Sequence, residues 1–145
     1  MKIILRFIPL ILAVAIIGGL TMQDTTDNVN LSEKCRTYAV MVVEKYDIET
    51  NGVWWNNPGN FRKVAHTVEY FFLGLTVCFA IRWFGVSVIL CAMISIGDQM
   101  LKRYIPIRHF DMTDLPFDAA GYVAGVMVMF VFVSIGKFLG SGGEK

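Results

Sequence analysis

Apolar side chains are gathered into long blocks separated by short polar stretches. The last block is the cleanest, with 18 residues from Ala119 to Gly136 that carry no charge, and the 14 from Phe84 to Gly97 carry none either. About 18 apolar residues take a helix across roughly 30 Å of hydrocarbon at about 1.5 Å per residue. A helix buried in a soluble protein turns some face to water within two turns and shows it as charge. The pattern therefore predicts four membrane helices, Ile3 to Met22, Lys63 to Ala80, Val86 to Leu101 and Pro116 to Leu139. Arg82-Trp83-Phe84-Gly85 is a tight turn, so the second and third spans form an antiparallel hairpin and the fourth starts where the third ends.

The first block opens on Lys2 and Arg6, as a secretion signal also does. Its apolar run from Phe7 to Leu20 ends on Gly19-Leu20-Thr21, a weak cleavage site, which favours a retained anchor. Between the first two spans, Gln23 to Arg62 is polar. Within it Ser32 to Tyr46 predicts a helix with Cys35, Ala39, Val42, Val43 and Tyr46 near one face, lying along the membrane surface. Asn51-Gly52, Trp54-Trp55 and Asn57-Pro58-Gly59 follow as turns around interfacial aromatics. The expectation is an all-α polytopic membrane bundle of four transmembrane helices and a surface amphipathic helix. Its parts are an anchor (1–22), an extracytoplasmic loop (23–62), a three-helix core (63–140) and a cytoplasmic tail (141–145).

Composition agrees and narrows the function. The 145 residues are 55% hydrophobic and 17% charged with a net charge of +1, and the mean hydropathy is +0.56. Disorder needs the opposite balance. Nucleic-acid binding needs a basic footprint that is absent here. With the N-terminus cytoplasmic, the inner face carries Lys2, Arg6, Arg82, Lys137 and Lys145 against Glu144, and the other eleven acids fall outside. Lysine and arginine alone number five inside against eight outside, but Lys2 and Arg6 flank the first helix, which usually dominates, so N-in and C-in is the expected topology.

The few charges near the spans converge on the outer end. Lys63, His66 and Tyr70 lie within about 60° of one another on a helix, with Gly74 nearby and Glu69 about 60° further round. An interfacial lysine that snorkels to water accounts for Lys63 as well as a site does. His66 and Glu69 lie deeper, where an ionisable group costs about 2.5–3.5 kcal/mol unless paired or wet. Asp98 and Lys102 are spaced as an ordinary i,i+4 pair at a frayed helix end. The loop after them holds Arg103, Arg108, Asp111 and Asp114. Asp118 sits where a helix N-terminus stabilises a carboxylate, and Gly121 and Gly125 follow as a G-x-x-x-G packing face.

The string Lys63-x-x-His66-x-x-Glu69-Tyr70-x-x-x-Gly74, then Asp98, Pro106-x-Arg108 and Asp114-x-x-x-Asp118-x-x-Gly121-x-x-x-Gly125, resembles the VanZ-like family of small bacterial membrane proteins. Gln99 and Lys102 depart from that pattern, standing where the family usually has Glu and Gln. The resemblance implies a multi-helix protein of the bacterial cytoplasmic membrane, in a family named for a member associated with teicoplanin resistance, and no settled reaction.

Phosphate-loop, zinc-protease, C-x-x-C and nucleophile-elbow motifs are all missing. Cys35, Cys78 and Cys91 suggest core thiols rather than disulfides or zinc. No cofactor is expected. The leading expectation is a binding protein for an envelope lipid or glycopeptide, with Lys63, His66, Tyr70, Asp98, Arg108, Asp111, Asp114 and Asp118 at the ligand and Gly74, Gly121 and Gly125 in helix packing. Arg103 would add a contact to phosphate or carboxylate, and the Trp54-Trp55 region would meet the acyl chain. An intramembrane enzyme acting on a lipid-linked phosphate competes, with His66, Glu69, Asp98, Arg108 and Asp114 as catalytic candidates. A small exporter or flippase ranks third, since four spans are few and no inverted repeat is visible.

Overall fold

A computed structural model of the chain describes residues 4–22, 25–46, 53–104 and 112–141, and among them every regular element is helical. The elements are α1 (Ile4–Met22), α2 (Thr25–Glu44), a single 3₁₀ turn (Trp54–Asn56), α3 (Pro58–Ile81), α4 (Phe84–Lys102) and α5 (Leu115–Ser141). Pro58–Ile81, Phe84–Lys102 and Leu115–Gly136 are long and apolar enough to cross a membrane, and Leu5–Leu20 of α1 is a shorter apolar helix.

The helix ends follow from local chemistry. Asn57-Pro58-Gly59, expected as a turn, starts α3 instead, because the Asn57 side chain accepts a hydrogen bond from the Gly59 N–H at 3.1 Å and Pro58 occupies the first helical position. Asparagine at the cap and proline just inside it each satisfy or remove a donor that the first turn leaves orphaned. At the other end Arg82 adopts the left-handed conformation (φ 61°, ψ 14°) and its N–H donates to the Cys78 carbonyl at 2.8 Å. That closes α3 and reverses the chain, so α4 begins at Phe84, two residues on.

Helix α3 is central, packing against α1, α2, α4, α5 and the 3₁₀ turn, and its contact with α5 is much the largest. Glycines explain the closeness. A Cβ added to Gly74 would fall on the Tyr122 carbonyl oxygen, one on Gly121 on that of Thr67, and one on Gly125 on that of Phe71. In lipid, apolar side chains gain little by meeting one another, so helices associate through small residues that let backbones touch. Gly74, Gly121 and Gly125 all lie in this contact.

The rest of the interior is a small apolar cluster of Ile17, Leu73, Val77, Cys78, Cys91 and Val126. Large apolar side chains such as Ile11, Phe72, Ile89, Met93 and Phe132 point outward. Buried polar groups with an apolar exterior suit a lipid surrounding, since in water it is a buried polar group or a large exposed apolar patch that calls for explanation.

Helix α2 differs from its expected form. It starts at Thr25, seven residues before Ser32. The positions it partly covers are Ser32, Arg36, Ala39, Val40 and Val43, whereas Cys35, Val42 and Tyr46 are exposed. The face toward α3 is thus set by Arg36 rather than by Cys35.

Candidate functional site

The start of α3, the end of α4 and the start of α5 share one end of the bundle, and the polar residues there form successive layers. At the rim, Arg36 Nη1 donates to the Asn56 side-chain oxygen at 2.9 Å and to its carbonyl at 3.2 Å, tying α2 to the 3₁₀ turn. Asn60 Nδ2 donates to the Trp54 carbonyl at 2.9 Å. The Trp54 ring stacks on Phe117 of α5, centroids 6.1 Å apart and planes 17° apart. Lys63 Nζ lies 5.3 Å from the centroid of the same Phe117 ring, a cation–π distance. An open recess of about 390 Å³ lies beside this stack, lined by Val53, Trp54, Asn56, Asn57 and Asn60.

Below the rim come paired charges. Arg62 Nη2 reaches Asp114 Oδ2 at 3.2 Å, with the arginine side chain 56% exposed and the aspartate 3%. His66 Nδ1 stands 3.5 Å from Glu69 Oε2, at the edge of hydrogen-bond range, both about one-fifth exposed. Lys102 Nζ meets Asp98 Oδ2 at 2.7 Å, each side chain only 6% exposed. Deeper still, Ser95 donates to Asp118 Oδ2 at 3.0 Å across the α4–α5 contact. Tyr70, Gln99 and Asp118 are fully buried, and among the described residues both Gln99 amide atoms and Asp118 Oδ1 have no hydrogen-bond partner.

The arrangement does two things chemically. Paired charges offset the cost of placing ions in a span, and the paired and hydrogen-bonded groups tie all three helices together. Among the described residues the buried polar atoms without a hydrogen-bond partner are of both kinds, with oxygens of Asp114 and Asp118 and nitrogens of Arg36, His66 and Gln99 among them.

Most expected site residues converge. Lys63, His66, Glu69, Tyr70, Asp98, Asp114 and Asp118 all lie at this end, while Arg108 and Asp111 fall outside the described residues. Arg103 is exposed just beyond α4. Two expectations change. Asp98 and Lys102 are no frayed surface pair, because α4 continues through Lys102 and buries both. Asp118 is not held by the helix dipole alone, since Ser95 from α4 donates to it.

Sequence reasoning also missed Arg62 and gave Gln99 no role beyond its departure from the family pattern. Ser95, Gln99 and Lys102 form a polar stripe at helical spacing on an otherwise apolar helix, a signal that was legible. Arg62 lies 52 residues from its partner and gave no local sign. Of the thiols, Cys78 and Cys91 are buried as expected and Cys35 is exposed. Among the described residues no three His, Cys, Asp or Glu side chains are grouped to hold a metal ion.

A family model described as VanZ/LLP1 matches residues 7–133, so the match includes α1 as well as the three long helices. No curated protein and no solved structure matches the chain. The chain belongs to the VanZ/LLP1 family.

Proposed function

We propose that this VanZ/LLP1 membrane protein binds the polar headgroup of an envelope lipid or a glycopeptide at the outer face of the bacterial cytoplasmic membrane, with both chain ends inside. The observation that carries the reading is the rim: an exposed Trp54 and three asparagines line a recess, and Lys63 lies over the Phe117 ring on which Trp54 stacks. Aromatic faces and amides suit sugar rings, and basic side chains at the same height suit phosphate or carboxylate. A lipid-linked ligand would leave its chain in the bilayer and present its head here. Association with teicoplanin tolerance follows if the glycopeptide or its lipid-linked target is what docks.

The test uses full-length protein in nanodiscs, with labelled undecaprenyl-linked lipid against phosphatidylglycerol of the same charge. Specific retention, lost at least fivefold in Trp54→Ala and Lys63→Ala, is expected. Equal retention of both lipids sinks the proposal.

One observation favours a second reading, an enzyme: His66 Nδ1 lies 3.5 Å from the Glu69 carboxylate, close enough for the two to act as base and orienting carboxylate once drawn together. Conversion of the labelled lipid, abolished in His66→Ala, would replace binding with catalysis. In a susceptible host, teicoplanin tolerance is expected to fall in His66→Ala, Arg108→Ala and Asp114→Ala, with membrane levels matched by blot.

A further inference from the structure

Among the described residues the carboxylates at the polar end come with bases, with one exception. Asp98 has Lys102 at 2.7 Å, Asp114 has Arg62 at 3.2 Å and Glu69 has His66 at 3.5 Å. Asp118, fully buried, has among the described residues no base within ion-pair distance. Its Oδ2 accepts from Ser95, and its Oδ1 has no hydrogen-bond partner among the described residues. The wider surroundings are mixed, with His66 and Lys102 on the positive side and Asp114 on the negative, and Lys102 is already engaged by Asp98.

The neighbours of Asp118 are also incomplete. Gln99, 1% exposed, follows Ser95 by one turn of α4 and so shares its face. Neither of its amide atoms has a hydrogen-bond partner among the described residues. The Tyr70 hydroxyl, from α3, is buried against the Ser95 side chain. Three helices therefore supply a carboxylate and a serine hydroxyl in contact, a phenol beside that serine and an amide on the same face of α4. Oxygen donors select hard cations, and a single carboxylate among neutral oxygens matches one positive charge rather than two. An anion would face the unpaired carboxylate.

We propose that Asp118, Ser95, Gln99 and Tyr70 form a binding site for a compact monovalent cation, either a metal ion of sodium's size or the primary ammonium of a bound molecule. The site stands independently of headgroup docking at the rim, because it uses none of Trp54, Arg62 or Lys63. The cation takes the place that a basic side chain fills for the other three carboxylates. A bound cation stabilises the folded protein by mass action, so the thermal midpoint reports occupancy.

The test follows tryptophan fluorescence of the full-length protein in neutral-lipid nanodiscs during heating, at constant ionic strength and at each of several fixed pH values. N-methylglucamine chloride is replaced stepwise by sodium chloride or by methylammonium chloride. The expected result is a saturable rise of several degrees with one or both compact cations, absent in Asp118→Asn and reduced in Gln99→Leu and Tyr70→Phe. Response to sodium identifies an ion site, and response to methylammonium alone identifies an ammonium site. If Asp118→Asn does not fold, Gln99→Leu and Tyr70→Phe decide the matter with the carboxylate in place. The proposal fails if the wild type responds to neither cation, if every variant keeps the full response, or if the midpoint follows pH alone. In that last case Asp118 is simply a protonated acid.

Discussion

Helix α5 meets α3 and α4 in two different ways, although both contacts involve neighbouring stretches of the same helix. Against α3 it lays Gly121 and Gly125 directly on the carbonyls of Thr67 and Phe71, while Tyr122 closes over Gly74. Against α4 it sends the Asp118 side chain to Ser95 at 3.0 Å, and the same end of α4 buries Asp98, Gln99 and Lys102. The first seam is backbone on backbone and leaves no room for chemistry. The second is side chain to side chain, and it carries the buried Ser95 and Asp118. A bundle that must hold polar groups in lipid thus separates the two jobs, using one rigid seam to position helices and one adaptable seam to carry charge.

The strongest challenge to that division is to overfill the glycine seam. Gly121→Leu and Gly125→Leu would force α3 and α5 apart, at a cost beyond the roughly 1–3 kcal/mol of ordinary overpacking, since backbone rather than a flexible side chain is struck. Loss of monodisperse protein from detergent extracts is expected for both. Gly136→Leu, on the same helix with nothing within 4 Å of the added carbon, should purify like the wild type. Equal tolerance at all three positions would remove the seam from the account.

The α4 side should respond with a different signature. Asp98→Leu alone leaves Lys102 buried with its partner gone, and breaking a buried pair in this way costs about 3–5 kcal/mol. The double variant Asp98→Leu with Lys102→Met should recover most of that loss, because apolar replacements of both partners are often neutral. Thermal midpoints of the three proteins give the comparison. If the double variant is as damaged as the single, the pair does more than satisfy itself.

Smaller still is Arg62→Ala. Its side chain is 56% exposed, so water screens it and about 1 kcal/mol or less is expected. The loss should shrink further at high salt. The placement of the polar end relative to the membrane costs no stability to test. Cys35 is exposed while Cys78 and Cys91 are buried, so a membrane-impermeant maleimide added to intact cells should label the native chain at Cys35. Labelling that requires broken cells would reverse the proposed topology.

Much of this was legible along the chain because membrane helices are announced by composition. A block without charge has to be helical in lipid, where each backbone group must be satisfied within its own segment. Span ends fell within a few residues, and the error at Asn57-Pro58 arose because a cap and a turn use the same residues. The glycine face showed in the spacing of Gly121 and Gly125. What stayed hidden were partnerships over long separations, such as Arg62 with Asp114 and Trp54 with Phe117. The stretch 23–62 was expected to reach the ligand through Trp54-Trp55, and Arg36 and Asn56 at the same rim gave no such sign.

Sequence alone determined that the chain is helical, that it is made for lipid, and that its charges collect at one end, because periodicity and charge are local properties each residue carries with it. Only the tertiary structure decided which carboxylate is matched by which base, and so which one is left over. Asp118 and Asp98 are indistinguishable as letters. They differ because Lys102 is on the same helix as Asp98, one turn away, whereas the group that meets Asp118 depends on how closely the glycines let α5 approach its neighbours.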